Sequence, residues 1–379
     1  MDNHPLIYCN NAATTWPKPQ QVKDALLESL NLPAYGSGRT AGTEGTDYIS
    51  QTRASLGRLL HCPDEQICFS HNATDALNIL IAGFLANHQG CHVLTTELDH
   101  NSVLRPLHEF QTQKKCTYSA MPFDKETGKI DADTIDEYLT AETKLAVLTH
   151  ASNVLGTVQD IEKMTKILHD HGVFVIVDGS QSAGHIPIDL QNLGADAFVF
   201  TGHKGLFGIP GTGGFWIRDY EQVEPTKYGG TGSFSEDLMH PRSMPDRFET
   251  GTQNYTGLAA LAAGISFVAE QTVETIHEQG QRQSAQLIRR LKDCNGIAIH
   301  QDSPDLPIIS LTVDGVSSDD LGFILSRKYH IITRSGLHCG PLVHRRLENK
   351  DGSLRLSLSA FTTDAECDAV CSAFEEMFR

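Results

Sequence analysis

The chain has 379 residues, with 47 acidic and 30 basic side chains and a formal net charge of −17 at pH 7. That length exceeds what one compact core usually holds, so two domains are expected, and the charge speaks against nucleic acid as the main partner, because a phosphate backbone would be repelled. No apolar run approaches the roughly 20 residues that span a bilayer.

The first residues, Met1-Asp2-Asn3-His4-Pro5, lack the basic and apolar regions of a signal peptide. Nine scattered cysteines, without a CxxC pair or zinc-like spacing, read as reduced thiols of a cytoplasmic protein with no metal site.

Ile7-Tyr8-Cys9 reads as a short strand running into a small-residue loop, Asn10-Asn11-Ala12-Ala13-Thr14-Thr15. After Trp16-Pro17-Lys18-Pro19 a helix is expected, with Val22, Ala25, Leu26 and Leu30 on one side. Tyr35-Gly36-Ser37-Gly38-Arg39-Thr40-Ala41-Gly42 is expected to be a mobile surface loop, either a linker or part of a site mouth. A helix over 47–60 precedes the strand Ile67-Cys68-Phe69-Ser70.

After the turn His71-Asn72-Ala73-Thr74, Asp75 opens a helix with Ala76, Leu77, Leu80, Ile81, Phe84 and Leu85 at helical spacing. Thr74 either caps that helix or, with the free first-turn N–H groups, offers an anion site suited to a phosphate monoester. Val93-Leu94-Thr95-Thr96 is another strand. His100 lies past its carboxyl end, either stacked on a flat cofactor or solvated. Strands Thr117-Tyr118-Ser119-Ala120 and Leu145-Ala146-Val147-Leu148-Thr149 flank a helix over 131–139, Asn153 follows in a loop, and a helix spans 160–171. Alternating strands and helices indicate a parallel, doubly wound sheet.

The stretch 173–204 carries the chemistry. Val173-Phe174-Val175-Ile176-Val177 has no polar alternation, which fits a strand buried on both faces, and it ends in Asp178, with Gln181 three residues on. Ala197-Phe198-Val199-Phe200 ends in Thr201-Gly202-His203-Lys204. Alone, a strand-end aspartate or a surface lysine is ordinary. Together, at the sheet edge where open α/β folds bind ligands, they match the needs of pyridoxal 5'-phosphate (PLP): a lysine for the Schiff base and an acid for the pyridinium nitrogen.

Glycines 205, 208, 211, 213 and 214 lead to the strand Phe215-Trp216-Ile217, and 228–245 is rich in turns. A long helical region from about 256 to 292, with a break, bridges to a second domain with strands at 297–300, 307–313, 331–333 and 353–358 and helices at 318–328 and 364–378. The division expected is a large domain over 15–260 and a small one over 261–379 that takes in residues 1–14.

In order, Asn11-Ala12-Ala13-Thr14-Thr15, Thr74, Asp99-His100, Ser152-Asn153-Val154-Leu155-Gly156-Thr157, Val177-Asp178-Gly179-Ser180-Gln181, Gly202-His203-Lys204, Arg247-Phe248-Glu249-Thr250-Gly251-Thr252 and Arg334-Ser335-Gly336-Leu337-His338-Cys339 resemble the class V aminotransferase-like PLP enzymes, and among them the cysteine desulfurases and selenocysteine lyases. The resemblance spans nearly the whole chain. It implies an α/β PLP-dependent transferase of fold type I, with a mostly parallel doubly wound sheet in the large domain and a smaller α+β C-terminal domain.

The resemblance also implies roles. Lys204 carries the cofactor and Asp178 pairs with its ring nitrogen. Gln181 and Asn153 lie near the ring hydroxyl, and His100 stacks on the ring and joins the catalytic set. Thr74, Thr201 and His203 hold the phosphate, with Thr252 supplied by the other subunit of a homodimer. Arg355 takes the substrate carboxylate, with Asn11 and Asn153 beside the substrate. Cys339 forms the persulfide.

The implied reaction converts L-cysteine to L-alanine with sulfur passed to Cys339 and then to an acceptor thiol. The alternatives are a selenocysteine lyase acting on L-selenocysteine, another C–S lyase or epimerase, or a catalytically silent binding protein. Four positions depart from the family pattern: Asn10 for Asp, Leu337 for His, Gly340 for Ala, and Phe361-Thr362-Thr363 for a run with Asn.

Overall fold

The computed structural model describes residues 6–32, 47–233 and 236–379, so the glycine-rich stretch 35–42 lies outside the described residues. In chain order the first half runs β1 (Ile7–Tyr8), α1 (Gln20–Asn31), α2 (Tyr48–Leu60), β2 (Ile67–Ser70), α3 (Ala73–Asn87), β3 (His92–Thr96), α4 (Asn101–Thr112), β4 (Thr117–Met121), β5 (Thr143–Thr149), α5 (Ile161–Asp170), β6 (Phe174–Asp178), β7 (Ala197–Thr201) and β8 (Gly213–Ile217). The rest runs α6 (Tyr255–Gln271), α7 (Val273–Leu291), β9 (Ile297–Ile299), β10 (Ile308–Val313), α8 (Ser318–Tyr329), β11 (Ile331–Ile332), α9 (Pro341–Arg346), β12 (Leu354–Ser357) and α10 (Asp364–Phe378). The expected helix over 131–139 is a 3₁₀ segment, Ala132–Tyr138.

Seven strands form the main sheet in the order β2-β8-β7-β6-β5-β3-β4. Only β8 runs against its neighbours; the other pairings are parallel. Successive side chains of a strand point to opposite faces, and β6 and β7 show why an unbroken apolar run belongs here. Val175, Val177, Phe198 and Phe200 enter one core cluster, while Ile176, Ala197 and Val199 enter another. Both faces are therefore covered, as a mostly parallel sheet requires.

Gly179 must be glycine, because a Cβ there would sit 1.9 Å from the ring of Phe198. The chain can thus turn sharply just after Asp178.

The helices start where their caps dictate. Asp47 accepts from Ile49 N and Ser50 N to open α2. Asn72 caps α3 through Asp75 N, so that helix begins at Ala73 and not at the expected Asp75. On the expected apolar side of α1, Val22 is fully buried, Ala25 and Leu26 are half-buried and Leu30 is exposed.

A third core joins α7, α8, α10 and the antiparallel sheet β12-β10-β9, and takes in Ile7 and Cys9. β1 pairs in parallel with β11, which ties the N-terminal segment to this half. Residue 260 falls inside α6, whose Leu258, Leu261 and Ile265 all pack in the main-sheet core. No single helix among the described residues is long and apolar enough to cross a membrane.

Candidate active site

The carboxyl ends of β2, β3, β5, β6 and β7 converge on one cavity of about 550 Å³. Thr74 reaches it after β2, His100 and Ser102 after β3, Asn153 after β5, Asp178 and Gln181 from β6, and Thr201, His203 and Lys204 from β7. The small half contributes Arg334, His338 and Arg355. In a chain of net charge −17, this cavity gathers Lys204, Arg334 and Arg355 around one lining carboxylate among the described residues, Asp178. That balance favours an anionic ligand.

Asp178 Oδ1 accepts from Ser180 N at 3.0 Å and Ser180 Oγ at 2.5 Å. β6 and β7 are adjacent, and Asp178 pairs with Val199 in register. Lys204 stands three residues past the end of β7, where burial pushes its amine down to about 8, with Arg355 and Arg334 adding to the shift and Asp178 opposing it.

The loop before Lys204 is fixed from the N-terminal segment. The carbonyl of His203 accepts from Thr15 N, Thr14 Oγ1, Thr15 Oγ1 and Lys18 Nζ. Asn11 serves the same scaffold. Its Nδ2 donates to Tyr8 O and Ser357 O, and its Oδ1 accepts from Trp16 N. Asn11 is 1 % exposed and is not a lining residue of the cavity.

Among the described residues, five buried polar atoms of the cavity lining have no protein partner: Gln181 Oε1, Thr201 Oγ1, His203 Nδ1, His338 Nδ1 and Arg355 Nε. A buried polar atom left unsatisfied is costly, so these atoms fit a polar ligand. His203 is lowered to about 4 by burial, then by Lys204 and Lys18, so it is neutral at pH 7. Gln181 Nε2 donates to Ala12 O.

Arg355 on β12 is 1 % exposed. Its Nη1 donates to Asn153 O at 2.8 Å and its Nη2 to Asn10 Oδ1 at 3.3 Å, while Nε is unpartnered. Burial and the neighbouring Arg334 push it down to about 9. Asn10, where the family pattern has Asp, gives this guanidinium a neutral neighbour and leaves its charge free for a ligand.

Cys339 lies on a loop held from three sides. Asn153 Nδ2 donates to His338 O at 2.7 Å, Asn101 N to Cys339 O at 2.8 Å, and Gly336 N to Ser353 O at 3.1 Å. These bonds support two consecutive left-handed residues, His338 at φ 51° and Cys339 at φ 59°, a conformation that non-glycine residues seldom adopt. Arg334 Nη2 is 3.9 Å from Cys339 Sγ.

Seven of the other eight cysteines are buried. The remaining one, Cys62, is pushed up to about 12 by burial and by Asp64 and Glu65. Cys339 is therefore the one half-buried thiol that has a guanidinium beside it.

His338 Nε2 lies 3.0 Å from Ser353 O, an acceptor only, so Nε2 carries the ring proton. Burial, then Arg355, lowers His338 to about 2 and keeps it neutral. Thr252 is exposed and lies outside the cavity, beside a smaller pocket that Lys227 and Asp75 also line.

Sequence reasoning did not single out Ser102 or Ser180. Each stands two residues past a site residue, where a serine folds back on its neighbour, and that spacing was the available signal.

The aminotransferase class-V family model matches residues 7–370. The "probable cysteine desulfurase" of Methanothermobacter thermautotrophicus is 29% identical over 377 residues, covering 97% of this chain and 94% of that protein. The "cysteine desulfurase" of Escherichia coli O157:H7 is 27% identical over 389 residues, covering 99% and 94%. The apo structure of a cysteine desulfurase from Thermococcus onnurineus NA1 matches with a TM-score of 0.90 at 27% identity, over 98% of this chain and 94% of that one. The α/β fold expected from the sequence is thus the fold of these relatives, and the chain belongs to the aminotransferase class-V family.

Proposed function

We propose that this chain is a PLP-dependent cysteine desulfurase that converts L-cysteine to L-alanine and collects the sulfur on Cys339. One observation carries the reading: Lys204 and Asp178 share a cavity with Arg334 and Arg355, and Arg334 lies 3.9 Å from the Cys339 sulfur. The residues fit PLP, because a cation-rich pocket lined with unpartnered polar atoms suits its phosphate and ring hydroxyl.

When bound, PLP supplies an electron sink for charge at the substrate's α-carbon. Lys204 would be the anchoring amine and the base for the α-proton; its lowered basicity suits proton transfer near neutral pH. Asp178 would pair with the ring nitrogen, and Ser180 fixes the direction of its carboxylate. Thr74, Thr201 and His203 would hold the phosphate, and Gln181 the ring hydroxyl. Arg355 takes the substrate carboxylate through its planar fork, with Asn153 beside it. Asn11 acts on the substrate side only by holding the loop that carries Ala12 and Ala13.

Cys339, as thiolate, attacks the substrate sulfur. The Cβ–S bond breaks, an S–S bond forms, and the electron pair left on carbon takes a proton to complete alanine. An acceptor thiol then removes the sulfur from Cys339.

The reading places the protein in the cytoplasm as a homodimer of chains that each pair a large and a small domain. Thr252 would meet the phosphate end of the partner's cavity. Its exposure supports this, as do Tyr228, Leu238 and Met239, large apolar side chains left exposed that an interface would cover.

The test is direct. With PLP, L-cysteine and a reducing thiol, the protein should release alanine and sulfide in equal amounts, and Lys204→Ala should release neither. Pyruvate and ammonia in place of alanine, or turnover that survives Lys204→Ala, would contradict the reading.

A further inference from the structure

His100 caps α4, and its Nδ1 lies 3.0 Å from the backbone N of Ser102. A backbone N–H only donates, so Nδ1 presents its lone pair and the ring proton sits on Nε2. Ser102 Oγ is 2.6 Å from the same Nδ1 and 2.9 Å from Thr74 Oγ1. A hydroxyl has one proton. If Ser102 gives its proton to His100, it must accept from Thr74, so the whole chain has one direction: Thr74 to Ser102 to His100.

We propose that Ser102 is a positioning residue: its backbone N–H sets the His100 tautomer protonated on Nε2, and its hydroxyl joins that imidazole to Thr74. This rests on the proposed function only for its consequence in the reaction; the tautomer is a property of the chain itself. The consequence is a division of labour. His100 presents a hydrogen-bond donor, and Lys204 is the proton acceptor of the cavity.

The charges facing His100 agree. Burial lowers its pKa first, Lys204, Arg334 and Arg105 lower it further, and Asp178 opposes them, leaving it at about 4. Thr74 also becomes the switch point of the chain, since a phosphate that draws its proton removes a donor from Ser102.

The experiment uses full-length protein with isotope-labelled histidine and reads the protonation of each ring nitrogen of His100 by NMR, with and without PLP. His100→Gln assigns the signal. The wild-type protein should show Nε2 protonated and Nδ1 bare between about pH 6 and 8. Ser102→Ala removes one donor to the neutral ring, so the His100 pKa should rise by about half to one pH unit, and Ser102→Thr should restore it.

A wild-type ring protonated on Nδ1 overturns the proposal, as does a folded Ser102→Ala protein whose His100 titrates like wild type. If Ser102→Ala does not fold, the wild-type tautomer decides. The cofactor-free arm involves no turnover, so this proposal and desulfuration can fail separately.

Discussion

The backbone N–H of Asn101 donates to the carbonyl of Cys339 at 2.8 Å. One bond thus fastens the cysteine loop to the first turn of α4, the helix that His100 caps. The thiol and the imidazole share one mount, although 239 positions separate Cys339 from His100 in the chain. A second bond, Asn153 Nδ2 to His338 O at 2.7 Å, holds the same loop from the strand-β5 side.

Asn153→Ala should therefore loosen the loop without unfolding the protein, because Arg355 contacts the Asn153 backbone carbonyl, which the variant keeps. A thiol misplaced by about 1 Å costs on the order of 100-fold in rate. Single-turnover sulfur transfer should fall by about that factor, with the melting temperature little changed.

Lys204 gives a pH signature. Its pKa is lowered to about 8, so the neutral, nucleophilic amine gains population as pH rises through about 8, well below the ordinary lysine range. Capture of PLP by the cofactor-free protein, trapped with borohydride, should rise with pH around that midpoint. A rise delayed toward pH 10 would mean that burial does not act on Lys204 as described.

Arg355→Lys should raise the KM for L-cysteine by roughly 10- to 100-fold, the worth of one charge-assisted hydrogen bond. The lysine keeps the charge but loses the planar fork. The large domain should still bind PLP, and equilibrium cofactor binding is the control.

Alkylation should separate the two cysteines that are not buried. Cys339 has Arg334 beside it, whereas Cys62 faces Asp64 and Glu65, which with burial push it up to about 12. Iodoacetamide at neutral pH should modify Cys339 first, and peptide mapping reads the order.

Much of this site was legible because buried strands announce themselves. Val173-Phe174-Val175-Ile176-Val177 could only be a two-faced strand, so Asp178 had to stand at its end, and the run before Thr201 carried Lys204 to the same edge. The Asn11-Ala12-Ala13-Thr14-Thr15 stretch was less legible. Its polar side chains hold backbone carbonyls, chiefly that of His203, and such contacts have no period to read. Ser102 was missed for a related reason: its role depends on Thr74, 28 positions earlier, and only the packing of α3 against α4 brings the two together.

The measurement closest to the central claim is the fate of sulfur in one turnover. PLP-loaded protein is mixed with a single equivalent of L-cysteine without reductant, and alanine is quantified while the protein is mapped by mass spectrometry. The account predicts one alanine per site and one added sulfur atom on the peptide that contains Cys339, with Cys339→Ser binding PLP normally but yielding neither. Sulfur mapped to another cysteine, or alanine formed at the normal rate by Cys339→Ser, would contradict it.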